Sequence, residues 1–201
     1  MNPQTPRLFG LPKIHKPGIP IRPVVSGINS PTSKLAYKLN ILFRSYTAFK
    51  PTYSIRNSSD LIEKIQDIKL QSTNKLVSFD VKNLFTSVPV KESMNIAESI
   101  IKEANIGDNQ TQDFMNCLKL CTGQDFFKFD GIFFRQVTGL AMGSPLSPLL
   151  SDIYKDNLEK QIMDSSLLCE PSWKNIKFLF NKSLFLKAVE GTTTNLLRIW
   201  G

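Results

Sequence analysis

Apolar residues change their spacing several times along this chain, and each change marks an element. From Ser33, the residues Leu35, Ala36, Leu39, Leu42, Phe43 and Tyr46 fall on one face of a 3.6-residue repeat, which predicts a helix with Ser33 as its N-cap. Residues 59–69 repeat the pattern, with Leu61, Ile62, Ile65 and Ile68 inward. Over 75–81 the period drops to two. Val77, Phe79 and Val81 share one face of a strand, and Asp80 points to the other. Helical spacing returns over 91–104 (Met94, Ala97, Ile101, Ala104) and 111–121 (Phe114, Leu118, Cys121). Asp130-Gly131 between Phe126–Phe129 and Ile132–Phe134 then predicts a hairpin of two aromatic strands. After Pro145 and Pro148, Leu149, Leu150, Ile153, Tyr154 and Leu158 mark a last helix, to about residue 163.

The two ends follow other rules. Seven prolines within residues 1–31 forbid a long helix there and predict extended segments, with Lys16-Pro17-Gly18 as a turn tip. From Ser165 the apolar runs Phe178–Phe180 and Leu184–Leu186 show no clear period, and only Glu170 and Glu190 are acidic. The order of elements is an α+β pattern, compatible with a split βαβ unit. The chain reads as a basic segment over 1–59, a mixed segment over 60–163, and a divergent tail over 164–201 for which disorder is one expectation.

Charge sharpens this division. The formal net charge is +8, yet the first 59 residues hold nine Lys/Arg and no acid, while the rest hold 16 basic and 17 acidic residues. An excess confined to one arm points to a polyanion, held through phosphate contacts and counterion release; a solvated basic surface is the plainer alternative. Cys117, Cys121 and Cys169 do not form a disulfide framework, and with His15 as the one histidine they read as buried thiols in a reducing compartment. No apolar run has the length of a membrane span, and the N-terminus lacks a signal-peptide layout. An intracellular protein without a membrane partner is expected, with the nucleus as a candidate compartment.

Three stretches carry candidate chemistry. Asp80 ends an apolar strand, where a carboxylate can offer oxygen to a hard cation such as Mg²⁺; a lone Asp there can equally cap a helix or form a turn. Phe85 follows in Asn83-Leu84-Phe85-Thr86-Ser87-Val88-Pro89. Gly139 to Pro148 is a Gly/Ser/Pro turn opening a helix. Its Gly143 lets backbone come close to a ligand, and Ser144 and Ser147 can cap the helix or bond a strand of nucleic acid. Leu11 to Ser26 is a basic, proline-rich loop with Lys13, Lys16 and Arg22. His15 reads as a contact to phosphate or solvent rather than a catalytic group.

In combination these stretches resemble reverse transcriptases. Asp80 to Pro89 looks like the first palm motif, Gly139 to Pro148 like the second, and Gly10-Leu11-Pro12-Lys13-Ile14-His15-Lys16-Pro17 with Ala141-Met142-Gly143-Ser144-Pro145-Leu146-Ser147-Pro148 is most similar to the enzymes of Penelope-like retroelements. The resemblance covers about residues 8–163. It implies a right-hand polymerase of fingers and palm that uses RNA template, DNA primer and deoxynucleotide triphosphates, with Mg²⁺ or Mn²⁺. It implies roles too: Asp80 for metal, Phe85 as the ring that excludes a 2′-hydroxyl, Lys13, Lys16 and Arg22 for triphosphate, and Gly143 with Ser144 for packing template and nucleotide.

Two departures follow. Family members carry an aromatic residue, one variable residue and two aspartates on a hairpin after the second motif, whereas here no aspartate follows Asp164. A thumb is not recognisable either. The expectation is therefore an incomplete palm, without the aspartate-bearing hairpin and thumb, that binds primed template but does not extend it. The rivals are a nucleic-acid-binding protein with no catalysis, and an incomplete relic that aggregates through unpaired strands.

Overall fold

The computed structural model describes residues 2–67, 74–79, 81, 84–164, 178–181 and 184–190. They form two compact units, each assembled from two separate stretches of chain: residues 1–49 with 83–155, and residues 50–82 with 156–201.

The first unit is built on helices α1 (Ser33–Thr47), α4 (Val90–Glu103), α5 (Asp108–Gly123) and the first half of α6 (Ser147–Asp164), with the single-turn α3 (Leu84–Ser87) among them. The sequence places apolar residues three and four apart, so each helix has one stripe that must leave water. Ala36, Leu39 and Phe43 of α1 meet Phe114, Met115 and Leu118 of α5, and Ala97 and Ile101 of α4 complete the layer. Leu149, Leu150 and Ile153 of α6 join the same core. Phe43 anchors it, with ring centroids 6.0 Å from Phe49 and 6.1 Å from Phe114.

A four-stranded sheet belongs to the same unit, in the order β2 (Ile21–Ser26), β1 (Arg7–Pro12), β4 (Phe126–Phe129), β5 (Ile132–Arg135). β1 and β2 are antiparallel, from Arg7 opposite Ser26 to Pro12 opposite Ile21. Gly18 (φ 73°) and Ile19 (φ 44°) turn the chain between them at the expected tip. β4 and β5 form the expected hairpin, and Asp130 and Gly131 both take positive φ (47° and 79°), as its two-residue turn demands. β1 joins β4 in parallel through Arg7 and Lys128.

The second unit holds α2 (Ser58–Ile65), β3 (Asn74–Phe79) and the end of α6. Asn57 caps α2 by accepting from the Asp60 N–H at 2.9 Å. Asp60 in turn accepts from the Arg56 N–H at 2.8 Å, with Lys64 3.6 Å away. The Arg56 N–H, then the Lys64 charge, hold the Asp60 carboxyl below the usual carboxylate range against its own desolvation. Asp156 of α6 is buried, accepts from the Thr52 N–H and pairs with Lys160 at 2.9 Å. Two strands of the tail, β6 (Phe178–Asn181) and β7 (Leu184–Glu190), extend β3 into a second sheet, in the order β3-β7-β6, with both pairings antiparallel.

Several details differ from the sequence reading. Thr32, not Ser33, occupies the N-cap of α1, and no side chain bonds there. Tyr46, expected on the inward face, is exposed. α2 ends at Ile65, and Ile62 and Ile65 are exposed rather than inward, Ile62 by 60%. The apolar runs of the tail form β6 and β7; the pairing of β7 with β3 is non-local and left no local period to read. Ile68 and Asp80 lie outside the described residues.

The core makes a stability prediction. Ile101 is fully buried, so Ile101→Ala should destabilise by about 2–5 kcal/mol, whereas Ile62→Ala should cost under about 0.5 kcal/mol. Urea titration followed by circular dichroism compares the two.

Candidate functional site

Three stretches distant in sequence meet in the first unit, and backbone contacts hold them. The Leu140 N–H donates to the Phe85 carbonyl at 2.6 Å, tying the glycine turn to α3. The Val25 N–H donates to the Met142 carbonyl at 3.0 Å, tying the same turn to β2. Gly139 (φ 73°) and Gly143 (φ 114°) permit this approach: a Cβ at Gly139 would run into the Thr86 carbonyl, and one at Gly143 into the Val25 carbonyl oxygen. Gly143 is therefore fixed by its place against β2 as much as by its own φ.

The serines of the turn have local duties. Ser144 Oγ accepts from the Leu146 N–H at 3.3 Å, and buried Ser147 donates its hydroxyl to the Ala141 carbonyl at 2.6 Å. Asn40 Nδ2 of α1 donates to the Pro145 carbonyl at 3.3 Å, a brace that the sequence alone does not reveal. Phe85 is half-buried and packs against the helical core. A mostly apolar cleft opens beside the turn, lined by Val25, Ala36, Leu140 and Leu146 with Ser144 and Gln136 among them.

Arg22 lies on β2 opposite Leu11, and Lys13 follows β1 at the root of the connecting turn, where its N–H bonds the Pro20 carbonyl at 3.0 Å. Lys16 sits in the turn and is exposed, while Lys13 is half-buried. Thus Lys13, Lys16 and Arg22 share one hairpin, and Phe85, Gly143 and Ser144 share the contacts around the glycine turn. The meeting of Asp80 with Gly143 falls outside the described residues.

Other carboxylates and thiols are placed as follows. Asp152, on α6, pairs with Arg44 at 3.7 Å. Cys117 and Cys121 are half-buried against the core rather than fully buried, because α5 is amphipathic and both thiols sit at the border of its apolar stripe. Desolvation, reinforced by Cys117, pushes the Cys121 thiol up to about 11. Among the described residues no three His, Cys, Asp or Glu side chains cluster as metal ligands. No described helix is long and apolar enough to cross a membrane.

Residues 14–179 match the family model described as "Reverse transcriptase (RNA-dependent DNA polymerase)". The chain belongs to the reverse transcriptase family. No curated protein matches it in sequence. Among solved structures, it is similar to telomerase from Candida albicans in complex with a fragment of telomeric RNA (TM-score 0.65, 15% identity, 92% of this chain and 38% of that one). Telomerase from Candida tropicalis with the RNA fragment gives a TM-score of 0.65 at 12% identity over 99% of this chain and 38% of that one. Apo telomerase from the same yeast, truncated from its C-terminal domain, gives 0.62 at 13% identity over 100% and 48%. The chain thus spans less than half the length of these structures, and at such identity the likeness concerns the fold: a right-hand polymerase α+β architecture, present in part.

The glycine contacts predict an ordered set of substitutions. Gly131→Ala has open space around it and only its positive φ to oppose it, so it should cost about 1 kcal/mol. Gly139→Ala and Gly143→Ala add a collision with backbone and should each cost about 3 kcal/mol. Denaturant midpoints with unchanged slopes check the order. The raised Cys121 thiol carries little thiolate at pH 8, so iodoacetamide should modify it roughly two orders of magnitude more slowly than free cysteine, with the rate rising steadily toward pH 11. Peptide mapping after timed quenching reads this.

Proposed function

We propose that the chain is the fingers and palm of a Penelope-like retroelement reverse transcriptase that binds primed template without extending it. The wording of the two glycine- and proline-rich motifs supports the Penelope-like assignment. Lys13, Lys16 and Arg22 on one hairpin suit the triphosphate, Phe85 the sugar, and Gly143 with Ser144 the paired template and nucleotide. The telomerase structures that hold RNA support an RNA template, and the same reading brings DNA primer and deoxynucleotides as the other ligands.

The observation that carries the inactive reading is the composition of the second sheet. Two-metal nucleotidyl transfer requires carboxylates from adjacent strands to hold both divalent ions. β7 lies beside β3 and β6 beside β7, and neither contains an aspartate. At the end of β3 that leads into Asp80, Phe79 stands opposite Phe185. The one carboxylate of the two strands, Glu190, stands opposite Asn74, five residues back, or about 17 Å along the strand. These residues do not fit a two-metal centre. Phosphate contacts need no metal centre, so binding survives its loss.

Primer extension tests this. The chain should extend a primed RNA template no faster than its Asp80→Ala variant, with Mg²⁺ and again with Mn²⁺; extension that Asp80→Ala abolishes would refute the inactive reading. Affinity for the primed template should fall steeply with salt, and neutralising Lys13, Lys16 and Arg22 together should flatten that slope by about 2–3. An unaltered slope would mean that these residues do not touch phosphate.

A further inference from the structure

α1 carries a polar residue where its period calls for an apolar one. Ala36, Leu39 and Phe43 form the buried stripe, and Asn40, four residues after Ala36, borders it half-buried. Both ends of its amide are used. Nδ2 donates to the Pro145 carbonyl of the glycine turn at 3.3 Å, and Oδ1 accepts from Arg44 Nε at 3.2 Å, one helical turn further on. The Arg44 guanidinium lies 3.7 Å from Asp152 Oδ2. Asp152 is in the second turn of α6, the helix that the glycine turn opens. The contacts therefore run from the turn to α1 and back to α6.

The order of these contacts gives each residue a part. An amide has a donor end and an acceptor end, whereas a guanidinium only donates. Arg44 thus keeps Oδ1 toward itself and leaves Nδ2 aimed at Pro145. Asp152, opposite in charge, holds the guanidinium in place. The first half of the turn is tied down by main chain, through Leu140 to Phe85 and Val25 to Met142. In the second half, the Ser144, Leu146 and Ser147 N–H groups and the Ser147 hydroxyl all bond within the turn. Among the described residues, the hydrogen bond that joins this half to another element is that of Asn40.

We propose that Asn40 is a positioning residue. It fixes the second half of the glycine turn, and with it Ser144, in the pose that meets the paired template, and Arg44 with Asp152 set the orientation of its amide. The ligand in this statement rests on the proposed function; the fixing of the turn does not. Stability alone would not call for an amide here. An apolar side chain at this place would extend the buried stripe and gain burial. The amide gives up that gain for one directed contact, which hydrophobic packing of Leu146 cannot supply.

Asn40→Leu in the full chain separates positioning from stability. Its urea midpoint should equal or exceed that of the parent. Amide hydrogen exchange, read by NMR, should quicken at Ser144, Leu146 and Ser147 and keep the parent's protection at Val25 and Leu140. Affinity for a primed RNA template, read by fluorescence anisotropy, should fall about five-fold, as loss of one hydrogen bond implies. Asp152→Asn removes a negative charge, which by itself would favour a polyanion. Acting through Asn40, it should instead weaken binding about two-fold in the parent and cause no loss in the Asn40→Leu background. Should Asn40→Leu fail to fold, Asp152→Asn should still quicken the same three amides. Unchanged exchange at those amides overturns the inference. So does quicker exchange with unchanged affinity in a chain that binds, and so does tighter binding by Asp152→Asn. A parent that ignores primed template removes the proposed function, and the exchange pattern then decides by itself whether Asn40 positions the turn.

Discussion

The close passage of backbone at Gly139 and Gly143 is the constraint on which the first unit depends. One turn touches α3 on one side and β2 on the other, with a main-chain hydrogen bond at each contact and no room for a side chain. Hydrophobic burial alone would gather α1, α4, α5 and α6, but it is non-directional and would not place the β1–β2 hairpin against α3. The glycine turn supplies that direction. It converts three stretches separated by dozens of residues into one surface, and the serines that follow spend their hydroxyls on holding the turn in shape.

Much of this was legible in the sequence because it is local. Helical periods located α1, α4, α5 and α6 to within a few residues, and Asp130-Gly131 located its hairpin, since spacing and turn chemistry act over short distances. The assembly was less legible. Whether Ile62 faces inward depends on what covers α2, and neither Leu184–Leu186 announces that it will lie beside β3 nor Phe178–Phe180 that it will flank β7. The roles of Gly139 and Gly143 as contact points were visible only as a motif. That Asn40 meets the Pro145 carbonyl could not be read locally at all, because the two stand 105 residues apart.

On the proposed reading, the second sheet keeps a fold without its metal chemistry. Strand pairing is satisfied by backbone groups and tolerates many side chains, so β7 can stand beside β3 with phenylalanine where a polymerase would need acid. Metal binding has no such tolerance: it depends on particular oxygens at particular positions. Strand pairing and metal binding therefore differ in how much substitution they tolerate. A family match over residues 14–179 speaks to the first without deciding the second.

The way the first unit is pieced together has a consequence during synthesis. The buried stripe of α1, Ala36, Leu39 and Phe43, packs against Phe114, Met115 and Leu118 of α5, which are made much later. A ribosome working at about 5–20 residues per second makes α1 wait roughly 4–15 seconds for them. Through that interval the nascent chain carries an uncovered apolar helix on a segment rich in positive charge and free of acid. A chaperone, or a polyanion drawn by that charge, would meet this protein before the protein meets itself.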